Sequence, residues 1–202
     1  MLISLATFSL AATLVVLLPG PDTLVVVRNL VRGGRRVAAR TVLGVLSGLT
    51  VWVIVAVLGI SAVLRASQDA YDALRIVGAA YLIYLGVRSL RAHTGATTAT
   101  TPSRRLLGSG YGAGLCTDLL NPKVGVFFVT FLPGFVPHGY SVAWTSLLFG
   151  AIFIALTAAY FTALLIASGP VTRWMASSRA RRRIDRCTGL VLIGFGVRLA
   201  LE

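Results

Sequence analysis

The chain has 202 residues, of which 56% are hydrophobic and only 12% are charged. Soluble domains carry about 25% charged residues and about 45–50% apolar residues, so this composition excludes an ordinary soluble protein. Two long segments, residues 41–64 and 139–172, contain no charged side chain. A helix as long as the first segment extends for about 36 Å, which exceeds the membrane hydrocarbon core of about 30 Å. The sequence therefore predicts an all-α, polytopic membrane protein.

The net charge of +13 at pH 7 is typical of proteins that bind nucleic acids. The distribution of the charge argues against such a partner. Short arginine-rich segments alternate with long apolar stretches, and no aromatic residues are interleaved with them as on a base-stacking surface. We interpret these charges as loop charges that fix the membrane topology, and we expect no nucleic-acid partner.

The apolar stretches predict six membrane-spanning helices. The third and sixth spans are short and need their flanking arginines to reach the headgroups. A count of five or seven spans fits the gaps between charges less well. The predicted spans cover residues 2–27, 37–64, 73–87, 106–136, 142–168 and 184–201.

The arginines predict the orientation of these spans. Of the 18 arginines, 15 fall in the first, third and fifth loops and three fall on the opposite side. Cytoplasmic loops carry the excess of Lys and Arg, so the odd-numbered loops are predicted to be cytoplasmic and both termini to lie outside. No basic segment precedes the first span, and a cleaved signal peptide is therefore not expected.

An internal repeat divides the chain into two halves. Residues 82–88 recur as residues 192–198 with five of seven positions identical, and residues 17–21 have a weaker counterpart in residues 119–123. Three helices per half would insert the second copy upside down, which gives an inverted 3+3 repeat. This architecture is typical of secondary transporters, whose site lies near mid-membrane between the halves. Chance similarity between Gly- and Leu-rich helices is the alternative.

The repeat predicts three segments along the chain. Residues 1–93 form the first three-helix repeat, and residues 104–202 form the second. Between them, residues 94–103 are rich in threonine and lack apolar periodicity, so they are predicted to be a flexible cytoplasmic linker.

Two prolines flank a glycine inside the predicted first span. Pro19 removes the helical donor for the Val15 carbonyl, and Pro21 does the same for the carbonyl of Leu17. Gly20 lies between them and has no side chain to resist a break. Freed carbonyls and amides inside a bilayer need water, protein or a ligand as partners. The sequence therefore predicts a helix break with a binding site, and the alternative is a kink that neighbouring helices repack.

Asp22 and Thr23 follow this predicted break and are residue types that cap the start of a helix. A helix that restarts here would expose its amide N–H groups and the positive end of its dipole near mid-membrane. We therefore include both residues in the candidate site.

The predicted fourth span repeats this pattern. Pro122 frees the carbonyl of Asp118, while Asn121 and Lys123 bring an amide and an ammonium group to the same level. A charged group at the bilayer centre costs about 3 kcal/mol on insertion scales and indicates function. Lys123 is also the only lysine beside 18 arginines. A lysine, unlike an arginine, can lose its proton when buried, which favours a cation that titrates or fits a small carboxylate.

No catalytic group, cofactor site or metal site is predicted. His93 and His138 have no Cys, Asp or Glu neighbours at ligand spacing. Cys116 and Cys187 lie in different predicted spans, and a transmembrane thiol-redox protein that uses this pair is the alternative function. A membrane scaffold that transports nothing is a weaker possibility, because it would not need ionisable residues inside its spans.

The sequence resembles the LysE/RhtB family of bacterial amino-acid exporters over nearly its whole length. Two positions depart from the family pattern. Many members carry glutamine after the proline at position 133, where this chain has Gly134, and a polar or acidic residue after Gly48, where this chain has Leu49. The matching motifs occupy residues 19–24, 32–36, 44–48, 78–86, 121–123 and 127–133.

The resemblance implies a transporter rather than an enzyme. It implies efflux of amino acids or close derivatives across the bacterial plasma (inner) membrane, driven by the proton gradient. The implied partners are a small zwitterionic substrate, protons and the lipid bilayer, and a homo-oligomer is compatible with the sequence.

Asp22 and Lys123 occupy matching places in the two halves, so an inverted repeat would bring them toward each other near mid-membrane. A zwitterion could replace both halves of such a pair, with its carboxylate toward Lys123 and its ammonium toward Asp22. Protonation of Asp22 from outside would then favour release of the substrate. A static ion pair that only joins the halves is the alternative, and Asp118 is the next candidate for the proton carrier.

Overall fold

A computed structural model describes residues 1–66, 68–91, 109–137, 139–167, 169 and 178–201. Within these ranges the chain is helical and contains no strand, which agrees with the predicted all-α class. The predicted linker, residues 94–103, and both histidines lie outside the described residues. A π-helical turn (Phe127–Phe131) and a 3-10 turn (Leu132–Phe135) follow the fifth helix. The helices are α1 (Leu2–Leu17), α2 (Pro21–Ala66), α3 (Gln68–Arg91), α4 (Tyr111–Leu119), α5 (Pro122–Val126), α6 (Val142–Ile166) and α7 (Ser178–Leu201).

The helix boundaries differ from the prediction around the first basic segment. Instead of a longer loop between the first two spans, two helical segments of α2 meet at Gly34, where φ is 72° and ψ is −176°, and the flanking arginines belong to these segments. Arginine is a good helix former, and glycine adopts positive φ without a steric penalty. The predicted loop is therefore reduced to a kink at one residue.

Two helices extend beyond the third and sixth predicted spans. Helices α3 and α7 each contain 24 residues, because both extend into the flanking arginine-containing segments. Two described segments are long and apolar enough, by length and composition alone, to cross a membrane, namely Pro21–Gly59 and Val142–Ile166. Helix α1 is apolar but shorter.

Three sets of helix contacts hold the described part of the chain together. Helix α2 packs against α4 and α6, α1 packs against α6, and α3 packs along α7. Phe8 of α1 is fully buried at the centre of this core. Its ring stacks on Phe149 of α6 at a centroid distance of 4.4 Å, and it meets Phe135 edge-on at 5.4 Å. This aromatic cluster joins α1 and α6 to the segment that follows α5.

Glycines allow α2 and α4 to approach closely. A Cβ atom added at Gly44 would overlap the backbone carbonyl of Tyr111, and one added at Gly114 would overlap the carbonyl of Thr41. Small residues at such positions are typical of helix contacts in membranes. Gly44 and Gly114 therefore serve the close packing of α2 on α4.

We expect Gly114→Ala to destabilise the fold and Gly112→Ala to leave it unchanged. The added methyl at Gly114 meets the α2 backbone, whereas at Gly112 nothing lies within 4 Å. Overpacking of this kind costs about 1–3 kcal/mol. Thermal unfolding in detergent should show a lower midpoint for Gly114→Ala only, and equal midpoints would contradict the close contact.

Candidate functional site

The first helix break lies between α1 and α2. Helix α1 ends at Leu17, and Leu18 is extended with φ −77° and ψ 104° before α2 begins at Pro21. The break predicted at Pro19–Pro21 is therefore confirmed. The capping role predicted for Asp22 and Thr23 is wrong, because the helix begins before them. Asp22 lies in the first turn of α2, where a negative charge still interacts favourably with the helix dipole.

The second break lies between α4 and α5. Helix α4 ends at Leu119 and α5 begins at Pro122. Asn121 is extended between them, with φ −82° and ψ 104°, and its side-chain oxygen accepts a hydrogen bond of 3.1 Å from the Lys123 backbone N–H. A proline at the first helical position needs no hydrogen-bond partner for its nitrogen, so this sequence favours a restart at Pro122.

Lys123 joins the second break to the first. Its Nζ donates hydrogen bonds to the carbonyl oxygens of Val15 at 3.1 Å and Leu18 at 3.0 Å. The Val15 carbonyl is the one that Pro19 deprives of its helical donor. Gly20 also faces the ammonium group, since a Cβ atom there would lie 3.4 Å from Nζ. A side chain of the second half therefore satisfies the open end of α1.

Asp22 contacts the second half through Asn121. The Asn121 Nδ2 donates a hydrogen bond of 2.6 Å to Asp22 Oδ2, while Asp22 Oδ1 is buried with no hydrogen-bond partner among the described residues. The charges of Asp22 and Lys123 interact electrostatically. Their hydrogen bonds within the described part nevertheless go to other groups and not to each other.

Asp118 combines a satisfied carbonyl with an unsatisfied side chain. Trp52 of α2 donates its indole N–H to the Asp118 carbonyl at 3.3 Å, which is the carbonyl freed by Pro122. The Asp118 side chain is fully buried, and both of its carboxyl oxygens lack a hydrogen-bond partner in the described ranges. Gly48 packs so tightly against this carboxyl group that an added Cβ atom would overlap it.

A small cavity of about 30 Å³ lies between the two breaks. A water molecule needs about 10–15 Å³, and drug-sized ligand pockets are about 300–1,000 Å³. The cavity is therefore large enough for water but too small for an amino acid, and the described conformation is closed. Five of the predicted site residues line it, namely Gly20, Asp22, Thr23, Asp118 and Lys123.

The other predicted residues lie at the two breaks and do not line the cavity. Asn121 and Pro122 line a separate groove beside the second break, while Pro19 and Pro21 belong to the first break. Sequence reasoning missed Trp52, which lines the groove. It also missed Thr157 and Tyr160 of α6, which line the cavity. A tryptophan inside a span was the available signal, because a buried indole N–H needs an acceptor.

The described residues contain neither a disulfide nor a metal-binding cluster. Cys116 and Cys187 are free, exposed thiols on α4 and α7, so the thiol-redox alternative has no support. The described part of the chain contains no group of three or more His, Cys, Asp or Glu side chains that could hold a metal ion.

Curated proteins similar to this chain are membrane proteins and efflux proteins. The uncharacterized membrane protein YrhP of Bacillus subtilis is 29% identical, covering 98% of this chain and 99% of the relative. The uncharacterized membrane protein PA4757 of Pseudomonas aeruginosa is 32% identical, covering 96% of this chain and 93% of the relative. The leucine efflux protein of Salmonella typhimurium is 28% identical, covering 96% of this chain and 93% of the relative.

No solved structure matches the chain significantly. The family model described as LysE type translocator matches residues 13–202, which include both helix breaks and the cavity between them. The chain belongs to the LysE type translocator family of membrane proteins.

Proposed function

We propose that this protein exports amino acids or close derivatives from the bacterial cytoplasm by proton antiport. Membership of the translocator family and the similarity to leucine efflux proteins support export. The single observation that carries the proposal is the reciprocal connection of the two breaks. Lys123 binds the end of α1, and Asn121 binds Asp22 at the start of α2.

An inverted repeat of six spans accounts for this reciprocity. Helix α1 and the first part of α2 would form span one, the rest of α2 span two, and α3 span three. Helix α4 with the segment through Phe135 would form span four, followed by α6 and α7. In this assignment, the first span of each half packs against the second span of the other, as α1 does on α6 and α4 on α2. The third spans, α3 and α7, pack on each other.

The groups at the breaks are complementary to a zwitterion. Lys123 would exchange its bonds to the Val15 and Leu18 carbonyls for the substrate carboxylate. The substrate ammonium would bind Asp22, whose Oδ1 has no partner among the described residues, together with the released carbonyls. The closed cavity is too small for an amino acid, so the two halves must separate when substrate binds.

Proton coupling would operate through Asp22. Protonation of its carboxylate from the outside removes the charge that holds the substrate ammonium and favours release outward. Deprotonation toward the cytoplasm restores binding. Asp118 lines the same cavity and is the next candidate for the proton carrier.

Efflux from preloaded cells tests the proposed function. Cells that express the protein are loaded with each of the twenty amino acids and with common metabolic intermediates, and loss of each compound is followed over time. We expect export of at least one amino acid. Export of none would contradict the proposal. The Cys116→Ser, Cys187→Ser double variant should export normally, since neither thiol is needed.

The double variant Pro19→Ala, Pro21→Ala is expected to insert well and to transport poorly. Alanine restores two backbone donors and allows a continuous helix. The Val15 carbonyl would then have a helical donor and would no longer be open to Lys123. Membrane-fraction immunoblots measure insertion, and efflux measures transport. Normal efflux would mean that the prolines only shape packing.

The topology prediction can be tested by cysteine labelling in a cysteine-free background. We expect Thr97→Cys, within the predicted cytoplasmic linker, to be protected from a membrane-impermeant thiol reagent in intact cells. Cysteines added at either terminus should react. The reverse pattern would overturn the arginine-based orientation.

A further inference from the structure

A second cavity of about 420 Å³ lies beside the α4–α5 break. It is an open groove between α2, α3, α4 and α5, and its walls are mainly apolar. Val77 and Tyr81 of α3 form one side, while Leu120 and Val126 line the side next to the break. This groove is more than ten times larger than the closed cavity and falls within the range of about 300–1,000 Å³ that is typical of ligand pockets.

Trp52 and Asn121 form the wall between this groove and the closed cavity. Both side chains line the groove, yet their polar atoms bind residues that line the closed cavity. The Trp52 Nε1 donates to the Asp118 carbonyl at 3.3 Å, and the Asn121 Nδ2 donates to Asp22 at 2.6 Å. Two side chains of the groove therefore bond directly to residues of the candidate site.

The Trp52 side of this wall is the weaker side. Its hydrogen bond of 3.3 Å is longer than the usual N–H···O distance of about 2.9–3.0 Å. The indole ring rests on Gly125, where an added Cβ atom would lie 2.8 Å from Cη2. Rotation of this ring away from Asp118 would break only this long bond, because the Asp118 carbonyl also accepts a hydrogen bond of 2.9 Å from the Asn121 backbone N–H. The rotation would open the side of the groove that faces the closed cavity.

We propose that the groove is the vestibule that receives the apolar side chain of the exported amino acid and that Trp52 is the gate between the vestibule and the closed cavity. This inference rests on the proposed export function and adds the substrate class. The apolar groove ends at Asn121 and Trp52, which bond Asp22 and the Asp118 carbonyl of the closed cavity. The two cavities together are therefore complementary to a molecule with an apolar side chain at one end and a zwitterionic group at the other. A lipid acyl chain would fit the walls but has no group for the polar end.

Thiol labelling distinguishes a substrate vestibule from a lipid-filled groove. Val77 lines the groove and is 66% exposed, while Ile76 precedes it on α3, is 58% exposed and does not line the groove. Each is changed to cysteine in the Cys116→Ser, Cys187→Ser background and treated with a charged methanethiosulfonate. A thiol reacts as its thiolate, which forms in water and not in lipid.

We expect Val77→Cys to react and Ile76→Cys to remain unlabelled. L-Leucine should slow the reaction at Val77→Cys about fivefold or more when it occupies most sites, and L-aspartate should not. No reaction at Val77→Cys, or a rate that L-leucine leaves unchanged, would overturn the vestibule. L-Leucine efflux by the cysteine-free parent is measured in parallel. Its absence together with export of none of the other amino acids would count against the proposed function, while reactivity at Val77→Cys is read independently of transport.

The gate is tested from inside the closed cavity. Leu49 lines that cavity and is only 1% exposed, so Leu49→Cys should react slowly with the same reagent. Trp52→Phe retains a ring but lacks the N–H donor, and loss of one hydrogen bond should raise the reaction rate about fivefold. Trp144→Phe is the control, because Trp144 is exposed on α6 and lines neither cavity. Equal labelling rates of Leu49→Cys in the Trp52→Phe and Trp144→Phe variants would show that Trp52 is not the gate.

Discussion

Lys123→Met is expected to reduce amino-acid efflux to background while the protein still reaches the membrane. Methionine keeps the length of the side chain but cannot donate to the carbonyls of Val15 and Leu18 or bind a substrate carboxylate. Each hydrogen bond to a charged group is worth about 1.5–3 kcal/mol, so loss of two bonds to the substrate carboxylate predicts a decrease in rate of roughly 100-fold or more. The measurement is the initial efflux rate per amount of protein in the membrane.

Lys123→Arg is the matched control for charge. Arginine keeps the positive charge, but its planar guanidinium group is larger than an ammonium group. The cavity of about 30 Å³ and the contact with Gly20 leave little space for it. We therefore expect most of the transport to be lost in this variant also. A wild-type rate would show that any cation suffices. Size-exclusion profiles in detergent separate loss of transport from loss of folding.

Asp22→Asn is expected to abolish proton-driven export while preserving the fold. An asparagine oxygen can still accept the hydrogen bond from Asn121, but the side chain cannot titrate. Accumulation of substrate against its gradient should therefore fall to the level of protein-free vesicles. Downhill movement should be weak, because the substrate ammonium has lost its counter-charge. Transport is measured with and without an imposed pH gradient.

Asp118→Asn is the matched comparison, since Asp118 lines the same cavity. If Asp22→Asn keeps the wild-type dependence on the proton gradient, the proposed mechanism is wrong. Loss of that dependence in Asp118→Asn alone would place the proton carrier at Asp118. The two variants together therefore identify the titrating carboxyl group.

Local chemistry made the helix breaks predictable from the sequence. Pro19, Pro21 and Pro122 act on the backbone within one turn of their own positions, so no knowledge of the fold was needed. The residues that complete the site come from the other half of the chain. Lys123 bonds to carbonyls that precede it by more than 100 positions, and only a resemblance or a repeat could indicate such a contact.

The packing partners of the spans were not predictable for a different physical reason. Helices α1 and α6 are apolar on nearly every face, so hydrophobic periodicity does not indicate which side meets another helix. Thr157 and Tyr160 were missed for that reason. The helical geometry of the arginines on both sides of Gly34 was missed because charge signals topology, whereas arginine itself favours helix.

Transport by the purified protein in proteoliposomes tests the central claim most directly. Vesicles are loaded with radiolabelled L-leucine, and the outside is made acidic relative to the lumen. We predict that L-leucine leaves against its concentration gradient, that a protonophore stops this movement, and that Asp22→Asn vesicles do not show it. L-leucine efflux at the same rate with and without the pH gradient, or no efflux of any of the twenty amino acids, would contradict proton-coupled amino-acid export.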